Sequence, residues 1–276
     1  MADNLIQISG GGDTSTFTVP EFGYKTQIIL PFTLQKLSNG LSVIKDFGSA
    51  YDKRICSCNF ILDATEAAIF ESKFSQYYDD TNINLNCLNS GFMPFSPDKG
   101  GNGDMLCLME LDERNGVGEQ PYKYFSYKVR FLKTTGSWPA YTPTLGLPEG
   151  TLQIGTVTGL RFPPLWFKPE TKHLHFPVMN EGLTIYYNNR DKSTYSTKFS
   201  MTQNQGNTAT LIKYLVNTAR ASDFSMISDT NYFPFGRENP DTTTFTVRPL
   251  YDTIEITHED YNRFTFDLSL QMVSHT

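Results

Sequence analysis

The sequence of 276 residues lacks the features that would direct it to a membrane or to nucleic acid. It has no uninterrupted run of about 18 apolar residues, so no membrane-spanning helix is expected. Its start, MADNLIQISGGGDTST, lacks the charged and apolar stretches of a signal peptide, which predicts a soluble protein made in a cytoplasm. A formal charge of -6 and a pI near 5.3 argue against the clustered Lys and Arg that nucleic-acid binding requires.

Motifs of catalysis and phosphate binding are lacking too. No serine or cysteine lies in a nucleophile context such as Gly-x-Ser-x-Gly. The glycines at 10–12 and the KGGNG stretch at 99–103 do not continue into the Gly-Lys-Ser/Thr of a phosphate loop, so they are interpreted as tail and loop. The sequence therefore predicts a protein that is not an enzyme, with no catalytic, cofactor-binding or metal-binding residues and no cofactor.

Cysteine is scarce, and the four that occur are Cys56, Cys58, Cys87 and Cys107. None forms the C-x-x-C pair that would complete a zinc site. Cys56 and Cys58 are spaced i, i+2 on a predicted strand and share a face with Phe60. Buried apolar packing of reduced thiols is predicted, and a thiolate metal pair is the alternative.

Two stretches place histidine beside other titratable residues. His173 and His175 lie two residues apart beside Glu170 and could recruit a metal, but a solvated strand edge is the favoured interpretation. Residues 258–260, His-Glu-Asp, lie between the strand-like segments YDTIEIT and YNRFTF. Polar residues between two strands are typical of a hairpin connection, so no acid–base role is predicted there.

Aromatic and β-branched residues are plentiful, with 21 Phe and 15 Tyr, and they favour pleated strands. The segment RFTFDLSLQMV alternates between apolar and polar residues, which predicts a strand with one buried side. Its apolar positions are Phe264, Phe266, Leu268, Leu270 and Met272. The sequence predicts a mainly β protein.

The second half of the chain echoes the first. The turn Phe92–Ser96, FMPFS, is followed 140 positions later by Tyr232–Gly236, YFPFG. A shift of 139 carries the strand at Phe125 onto the strand at Phe264. The same shift carries Phe60 onto Phe199, Cys107 matches Val247 at a shift of 140, and NGLSVIKDF at 39 matches EGLTIYYNN at 181. An internal duplication is predicted.

Each half carries one predicted helix at the same place in the echo. In the first, Asp63–Glu66 is a candidate capping box, followed at helical spacing by Ala67, Phe70 and Phe74. In the second, Asn207 is the predicted cap of TATLIKYLVNTAR. The predicted apolar positions of this second helix are Leu211, Ile212, Leu215 and Ala219.

Proline marks the boundary between the halves, because seven of the 15 prolines fall between Pro139 and Pro177. The predicted division is an N-terminal segment (1–27), a first module (28–135), a proline-rich connector (136–171) and a second module (172–276). Within the connector, TLQIGTVTGLRF can pair as a short hairpin. Four aromatic residues there are candidates either for a stacking platform that contacts a partner or for packing of the connector: Trp138, Tyr141, Trp166 and Phe167.

Two blocks resemble a known family. GSAYDKRICSCNFILDATEAAIFESKFSQYYDD and the final YFPFG…TTTFTVRPLYDTIEITHEDYNRFTFDLSLQMV are similar to the siphophage tail-tip and distal-tail families, which share the tail-tube fold. The likeness covers roughly residues 28–133 and 172–273. The resemblance implies two tandem antiparallel β-sandwich or barrel modules, each with one short helix. The family usually has one module per chain.

The function that the resemblance implies is structural. The chain would be a subunit of a phage tail tip or baseplate in the virion, assembled in the host cytoplasm as a ring of three or six chains. The ring would adapt the tail tube to the hub and other distal parts, and DNA would only pass through its channel. The alternative is a pair of β-sandwich domains that bind carbohydrate or a receptor. A large closed ring would distinguish the first function from the second.

Overall fold

The computed structural model describes residues 5–10, 13–37, 42–46, 53–77, 83–87, 90–97, 102–117, 123–133, 152–161, 168–180, 183–219, 222–227, 235 and 244–275. Over these ranges the chain is mainly β with two helices, and every strand pairing is antiparallel, as the sequence predicted. No helix within them is long and apolar enough to cross a membrane.

The first half contains nine described strands and helix α1 (Ala64–Tyr77), which follows the sixth strand. The strands are β1 (Leu5–Gly10), β2 (Asp13–Thr18), β3 (Lys25–Ile29), β4 (Phe32–Lys36), β5 (Ser42–Asp46), β6 (Lys53–Asp63), β7 (Ile83–Asn86), β8 (Met105–Val117) and β9 (Tyr124–Lys133).

The second half contains eight described strands and helix α2 (Gln205–Asn217), which follows the fourth of them. The strands are β10 (Leu152–Ile154), β11 (Val157–Leu160), β12 (Lys168–Asn180), β13 (Leu183–Gln203), β14 (Phe224–Ile227), β15 (Thr244–Pro249), β16 (Thr253–Asp260) and β17 (Arg263–His275).

The two halves place their strands in the same order. The first half reads β2-β1-β7-β8-β9-β6-β3, and the second reads β11-β10-β14-β15-β17-β13-β12. In each half the helix follows the long strand that pairs with the last strand, β6 with β9 and β13 with β17. Strand β16 pairs with β17 on one side and with β3 on the other, and so continues the sheet of the second half into the first.

A hairpin lies at the outer edge of each half. Hairpin β1–β2 pairs with β7, and hairpin β10–β11 pairs with β14, which confirms the short hairpin predicted for TLQIGTVTGLRF. Both hairpins begin with two buried apolar residues spaced i, i+2, Ile6 with Ile8 and Leu152 with Ile154. The predicted N-terminal segment and connector thus contribute strands to the sheet, while the domain boundaries themselves stay a prediction.

The register of the ladders corrects one predicted equivalence. Phe60 pairs with Tyr127, and Met201 pairs with Phe266, so the strand equivalent of Phe60 is Met201. The shift from β6 to β13 is therefore 141, and the predicted match of Phe60 with Phe199 is wrong by two residues. Side chains on a strand alternate with a period of two residues. A displacement by two therefore still aligns the apolar face of β6 with the apolar face of β13, and the sequence pattern does not reveal it.

Two clusters of buried apolar side chains lie under the sheet. The first contains residues from the first half only, among them Phe60, Phe70 and Phe131. The second contains the buried side of β17, which confirms the predicted inward positions Phe264, Phe266, Leu268 and Leu270. This second cluster also takes four residues from the first half, namely Ile28, Leu30, Phe32 and Met93.

Helix α1 begins where the sequence predicted. Asp63 Oδ1 accepts hydrogen bonds from the backbone N–H groups of Thr65 and Glu66, both at 2.8 Å. Glu66 does not complete a reciprocal box; its Oε1 accepts from the backbone N–H and the hydroxyl of Thr18 at 3.0 and 2.9 Å. The acid therefore fastens the end of β2 to the start of the helix. Ala67 and Phe70 are buried as predicted.

Helix α2 begins earlier than predicted. Its N-cap is Asn204, whose Oδ1 accepts from the backbone N–H of Asn207 at 2.8 Å, so the prediction of Asn207 as the cap is wrong. The two asparagines are three residues apart, and the sequence alone does not say which one supplies the capping oxygen. Asn207 Nδ2 instead donates to Gly159 O at 3.0 Å. The predicted apolar face is buried: Leu211, Ile212, Leu215 and Ala219.

Replacing Phe266 by Ala tests the predicted core face of β17. The side chain is 2% exposed, so its loss removes transfer energy and leaves a cavity, and we expect unfolding free energy to fall by about 3–5 kcal/mol. Val273 on the same strand is 46% exposed, and Val273→Ala should change it by less than about 0.5 kcal/mol. Urea unfolding measures both; equal effects would place Phe266 outside the core.

Candidate functional site: the junction of the halves and the polar sheet face

Among the described strands, one antiparallel ladder joins the two halves, between β3 and β16. Five pairs form it, from Thr253 opposite Ile29 to Thr257 opposite Lys25. Because each of the two strands also pairs with a strand of its own half, the ladder makes one continuous sheet of both halves. Lys25 Nζ donates to Glu255 Oε1 at 2.8 Å.

The amide of Gln27 adds a second polar contact to the ladder. Its Nε2 donates to Glu255 Oε2 at 2.9 Å, so both oxygens of this carboxylate are bound to β3. These bonds and the Lys25 ammonium hold the pKa of Glu255 below its ordinary value. Both charged groups are partly exposed, so the ion pair contributes little free energy and serves mainly to fix the register.

A buried histidine lies on the core side of the junction. His258 is 1% exposed, its ring stacks on Tyr24 with 4.1 Å between centroids, and its Nε2 is 3.0 Å from the hydroxyl oxygen of Thr26. Thr26 also lies 3.0 Å from Pro94 O, which can only accept. The network therefore assigns the Thr26 proton to Pro94 and the His258 proton to Nε2.

Burial keeps His258 neutral. Desolvation lowers the pKa of His258 to about 3, and its Nδ1 has no hydrogen-bond partner among the described residues. The prediction that residues 258–260 form a polar hairpin connection is thus wrong for His258, which continues the buried side of β16 after Ile254 and Ile256. The turn itself is at Tyr261 and Asn262, and Glu259 and Asp260 are exposed.

The aromatic-proline-aromatic turn of the first half, Phe92–Ser96, packs against the junction. Phe92, Met93 and Phe95 are buried, and the backbone N–H of Met93 donates to Tyr24 Oη at 3.0 Å. Gln205, the first residue of α2, donates from Nε2 to Met93 Sδ at 3.4 Å. Residues of this turn therefore contact both halves. Of its echo in the second half, only Phe235 lies within the described residues, and it is buried.

Hairpin β4–β5 of the first half lies against the core of the second half. Phe32 is buried in that core, and Leu34 and Ile44 pack against it. Its backbone is held at Ser42, whose N–H donates to Gln271 Oε1 at 3.1 Å and whose carbonyl accepts from Arg248 Nη1 at 2.6 Å. Hairpin β4–β5 of the first half thus packs on the second half.

The sheet has one polar face that runs through both halves. A row of directly opposed residues crosses it from β9 to β13 and consists of Arg130, Ser57, Lys25, Thr257, Thr265 and Thr202. Opposed residues in a ladder share a face, and each of these alternates with the core residues of its strand. Both cores and both helices accordingly lie on the other side.

Charges on the polar face are neutralised locally. Arg130 Nη2 lies 3.0 Å from Glu110 and 2.9 Å from Asp112, and Lys198 lies 3.3 Å from Asp267. Glu113 is directly opposite Lys128. A shallow recess of about 290 Å³ on this face is lined by polar side chains such as Asn59, Asn115 and Ser126. Among the described residues of this face, cations therefore lie close to carboxylates.

The cysteines are buried and free, as the strand spacing predicted. Cys56 and Cys58 lie on the core face of β6 beside Phe60. Cys107 and Val247 occupy matching places, because each is buried and paired with the first residue of the preceding strand, Ile83 and Phe224. Burial raises the pKa of Cys56 and Cys87, and raises the pKa of Cys107 to about 12.

The remaining predicted site residues lie in several different parts of the chain. Trp138, Tyr141, Trp166 and Phe167 lie outside the described residues. Glu170, His173 and His175 lie on β12, of whose side chains nothing is described. From the KGGNG stretch, Asn102 is buried and braces the loop before it, donating to Ser96 O at 2.8 Å and accepting from the Phe95 N–H at 3.2 Å. Within the described part of the chain, no three His, Cys, Asp or Glu residues group as metal ligands.

Sequence reasoning missed the junction residues Tyr24, Lys25 and Glu255. Alternation in YDTIEIT gives Glu255 an outward position, but nothing in it indicates a partner 230 residues away. The pairing depends on the continuous sheet, which strand patterns of the separate halves do not reveal.

Acidification tests the buried His258. Above about pH 6.5 the side chain is neutral in both states; below it only the unfolded chain takes up the proton, because the folded pKa is lowered. We expect unfolding free energy to fall by about 1.4 kcal/mol from about pH 7.5 to about pH 5.5. In His258→Gln this loss should vanish. An equal loss in both proteins, measured by urea unfolding, would contradict the assignment.

Thiol titration tests the buried cysteines. With a thiol reagent such as DTNB and no reductant, the native protein should react slowly, because burial disfavours the reactive thiolate. After unfolding, all four should react at once. A shortfall of two in the unfolded protein would indicate a disulfide, and rapid reaction of the native protein would indicate an exposed thiol.

Comparison of the chain with protein-family models and with curated protein sequences finds no match.

Proposed function

We propose that this chain is a structural subunit of a phage tail tip or baseplate. Two tandem tail-tube-like modules, each a β-sandwich or barrel with one helix, would form part of a ring around the channel for DNA. The proposal rests on the resemblance of the two sequence blocks to tail-tip families. The observation that carries it is the repeated strand order of the halves, joined edge to edge by β3 and β16.

The repeated order supports two copies of one module. Outer hairpin, helix and paired long strands recur in sequence, and the helix caps Asp63 and Asn204 fall at equivalent places, 141 residues apart. Edge-to-edge joining of repeated modules is the geometry of a ring, since repetition of one heterologous contact closes a circle when the rotation fits. Two modules per chain would let three chains supply six positions, and six chains twelve.

The polar face supports passage of DNA without binding. A channel through which DNA slides needs a hydrophilic wall without clusters of Lys and Arg. Such clusters would bind the DNA phosphates by releasing their counterions. On this face Lys25, Arg130 and Lys198 are each matched by a carboxylate. With the polar face inward, the cores and both helices lie on the outside, where the tail tube, the hub and the other tail-tip proteins would make contact.

The proposed role is not enzymatic and needs no cofactor. The buried titratable groups that the structure describes, such as His258 and Cys56, contact the core, and their position explains them as packing residues of a scaffold. The proposed location is the virion, after assembly in the host cytoplasm.

The mass of the purified full-length chain tests the proposal. We expect a closed particle of three or six chains, with a central channel in negative-stain images. Native mass spectrometry gives the number of chains. A monomer that binds glycans on an array, with no larger particle, would contradict the ring and favour the carbohydrate- or receptor-binding function.

A further inference from the structure

Strand β8 has an open edge. Its outer side pairs with β7 only from Met105 to Cys107, and no described strand pairs with that side from Leu108 to Val117. Every residue from Glu110 to Val117 is exposed, including Leu111 and Val117 at 39% each. An exposed strand edge is a template for another strand, and apolar residues on it mark a surface that is covered in the working state.

Strand β12 forms the opposite edge of the sheet. It pairs with β13 and with no other described strand. Lys168 lies opposite Lys198 in this ladder, at its start. Besides the outer hairpins β1–β2 and β10–β11, the described strands therefore leave two unlike open edges, β8 in the first half and β12 in the second.

The junction within the chain shows how two such edges join. Arg114 is opposite Tyr127, and Ile256 is opposite Phe266, which occupy equivalent places 139 residues apart in β9 and β17. Strand β8 from Glu113 to Asn115 is therefore the equivalent of β16 from Glu255 to Thr257.

The same comparison relates β12 to β3. Lys25 is opposite Ser57, and Lys168 is opposite Lys198. Ser57 and Lys198 are 141 residues apart, the same shift that relates Phe60 to Met201. Lys168 is therefore the equivalent of Lys25, and the Lys–Glu pair of the junction recurs on the two open edges as Lys168 and Glu113.

We propose that the β8 edge of one copy of this chain pairs with β12 of the next copy, in the register in which β16 pairs with β3. Asn115 of one chain then lies opposite Lys168 of the next, and Glu113 takes the place of Glu255 beside that lysine. The contact is head-to-tail, so it repeats from chain to chain. Its closure into a ring rests on the function proposed above.

A second element of the junction has an equivalent between chains. Within the chain, hairpin β4–β5 lies against the second half at Arg248 and Gln271. The far end of β12–β13, residues 174–189, pairs only with itself among the described strands. Two opposed pairs in this arm are of apolar residue types, Phe176 with Tyr187 and Val178 with Ile185. In the copy that supplies the β8 edge, the equivalents of Arg248 and Gln271 are Leu108, 37% exposed, and Leu132, which are apolar too.

Two differences make the joint between chains weaker than the junction within the chain. Thr26 and Gln27 of β3 correspond to Pro169 and Glu170 of β12. Proline removes a backbone donor from the edge, and Glu170 takes the place of the Gln27 amide that binds Glu255, so that it lies directly opposite Glu113 in the proposed register. These substitutions suit a contact that forms during assembly, while the junction within the chain forms during folding.

Paired cysteine variants test the joint directly. Full-length Asn115→Cys and full-length Lys168→Cys are prepared separately, mixed and oxidised. Directly opposed strand residues have Cα atoms about 4.5–5.5 Å apart, within the range of a disulfide. We expect a covalent dimer in the mixture and none in either variant alone, and the double variant should give higher covalent oligomers. The native cysteines are buried and do not compete.

Thr265→Cys is the matched control, since Thr265 lies on the same polar face but inside the sheet, paired with Thr202 on one side and with Thr257 on the other. Its mixture with Asn115→Cys should not crosslink. Crosslinking of Asn115→Cys with itself would show a symmetric contact and overturn the proposal. A ring that forms without the crosslink specific to the mixture would refute this joint and leave the proposed function standing; a chain that never associates would refute both.

Charge reversal gives an independent measurement. Lys168→Glu should weaken association roughly threefold to tenfold, because Glu113 of the neighbouring copy then faces carboxylates at both 168 and 170, and adding Glu113→Lys in the same chain should restore it. Glu259→Lys is the control. Glu259 is exposed and lies beyond the last pair of the β3–β16 ladder, so this change should leave association unchanged. Association by Lys168→Glu equal to that of the unaltered chain, measured by analytical ultracentrifugation, would contradict the proposed register.

Discussion

The ladder between β3 and β16 is the constraint on which the rest of the structure depends. It pairs residues about 230 positions apart and converts two similar sheets into one. Without it, each half would expose a strand edge to solvent and the second core would lose the side chains that the first half contributes, among them Ile28. The junction therefore covers backbone donors and acceptors and apolar surface at the same place.

Directionality follows from that ladder. Residues opposed across it share a face, so the core side of one half continues as the core side of the other, and the polar side does likewise. A molecule built in this way has two chemically different surfaces and two unlike edges. The surfaces suit a wall with an inside and an outside, and the edges suit repetition. His258 is buried at this junction, stacked on Tyr24 and bonded to Thr26.

Local features were accessible from the sequence. Alternation in β9 and β17, the cap at Asp63, the short hairpin after residue 151 and the burial of the cysteines all follow from neighbours within a few positions, and the structure agrees with each. The cap at Asn204 was missed because two asparagines compete locally. The shift from β6 to β13 was missed because a displacement by two residues preserves the face of a strand.

Long-range features were not accessible. The residues around His258 have the polar composition of a turn. Only the pairing of β16 with β3 places His258 next to Tyr24 and Pro94. The salt bridge from Lys25 to Glu255 has no signature in either segment alone. Recognising it required the ladder register, and that same register relates Lys168 to Glu113. The junction therefore had to come from three-dimensional structure, while the repeat that it joins could be read from hydrophobic periodicity.

The central claim is that one sheet with a single polar face forms the wall of a channel. Electron cryomicroscopy of the assembled particle, at a resolution that separates strands, tests it most directly. The account predicts that Arg130, Lys25 and Thr202 line the channel, with α1 and α2 on the outer surface. A channel lined by the helices, or a particle in which the row from Arg130 to Thr202 faces outward, would contradict it.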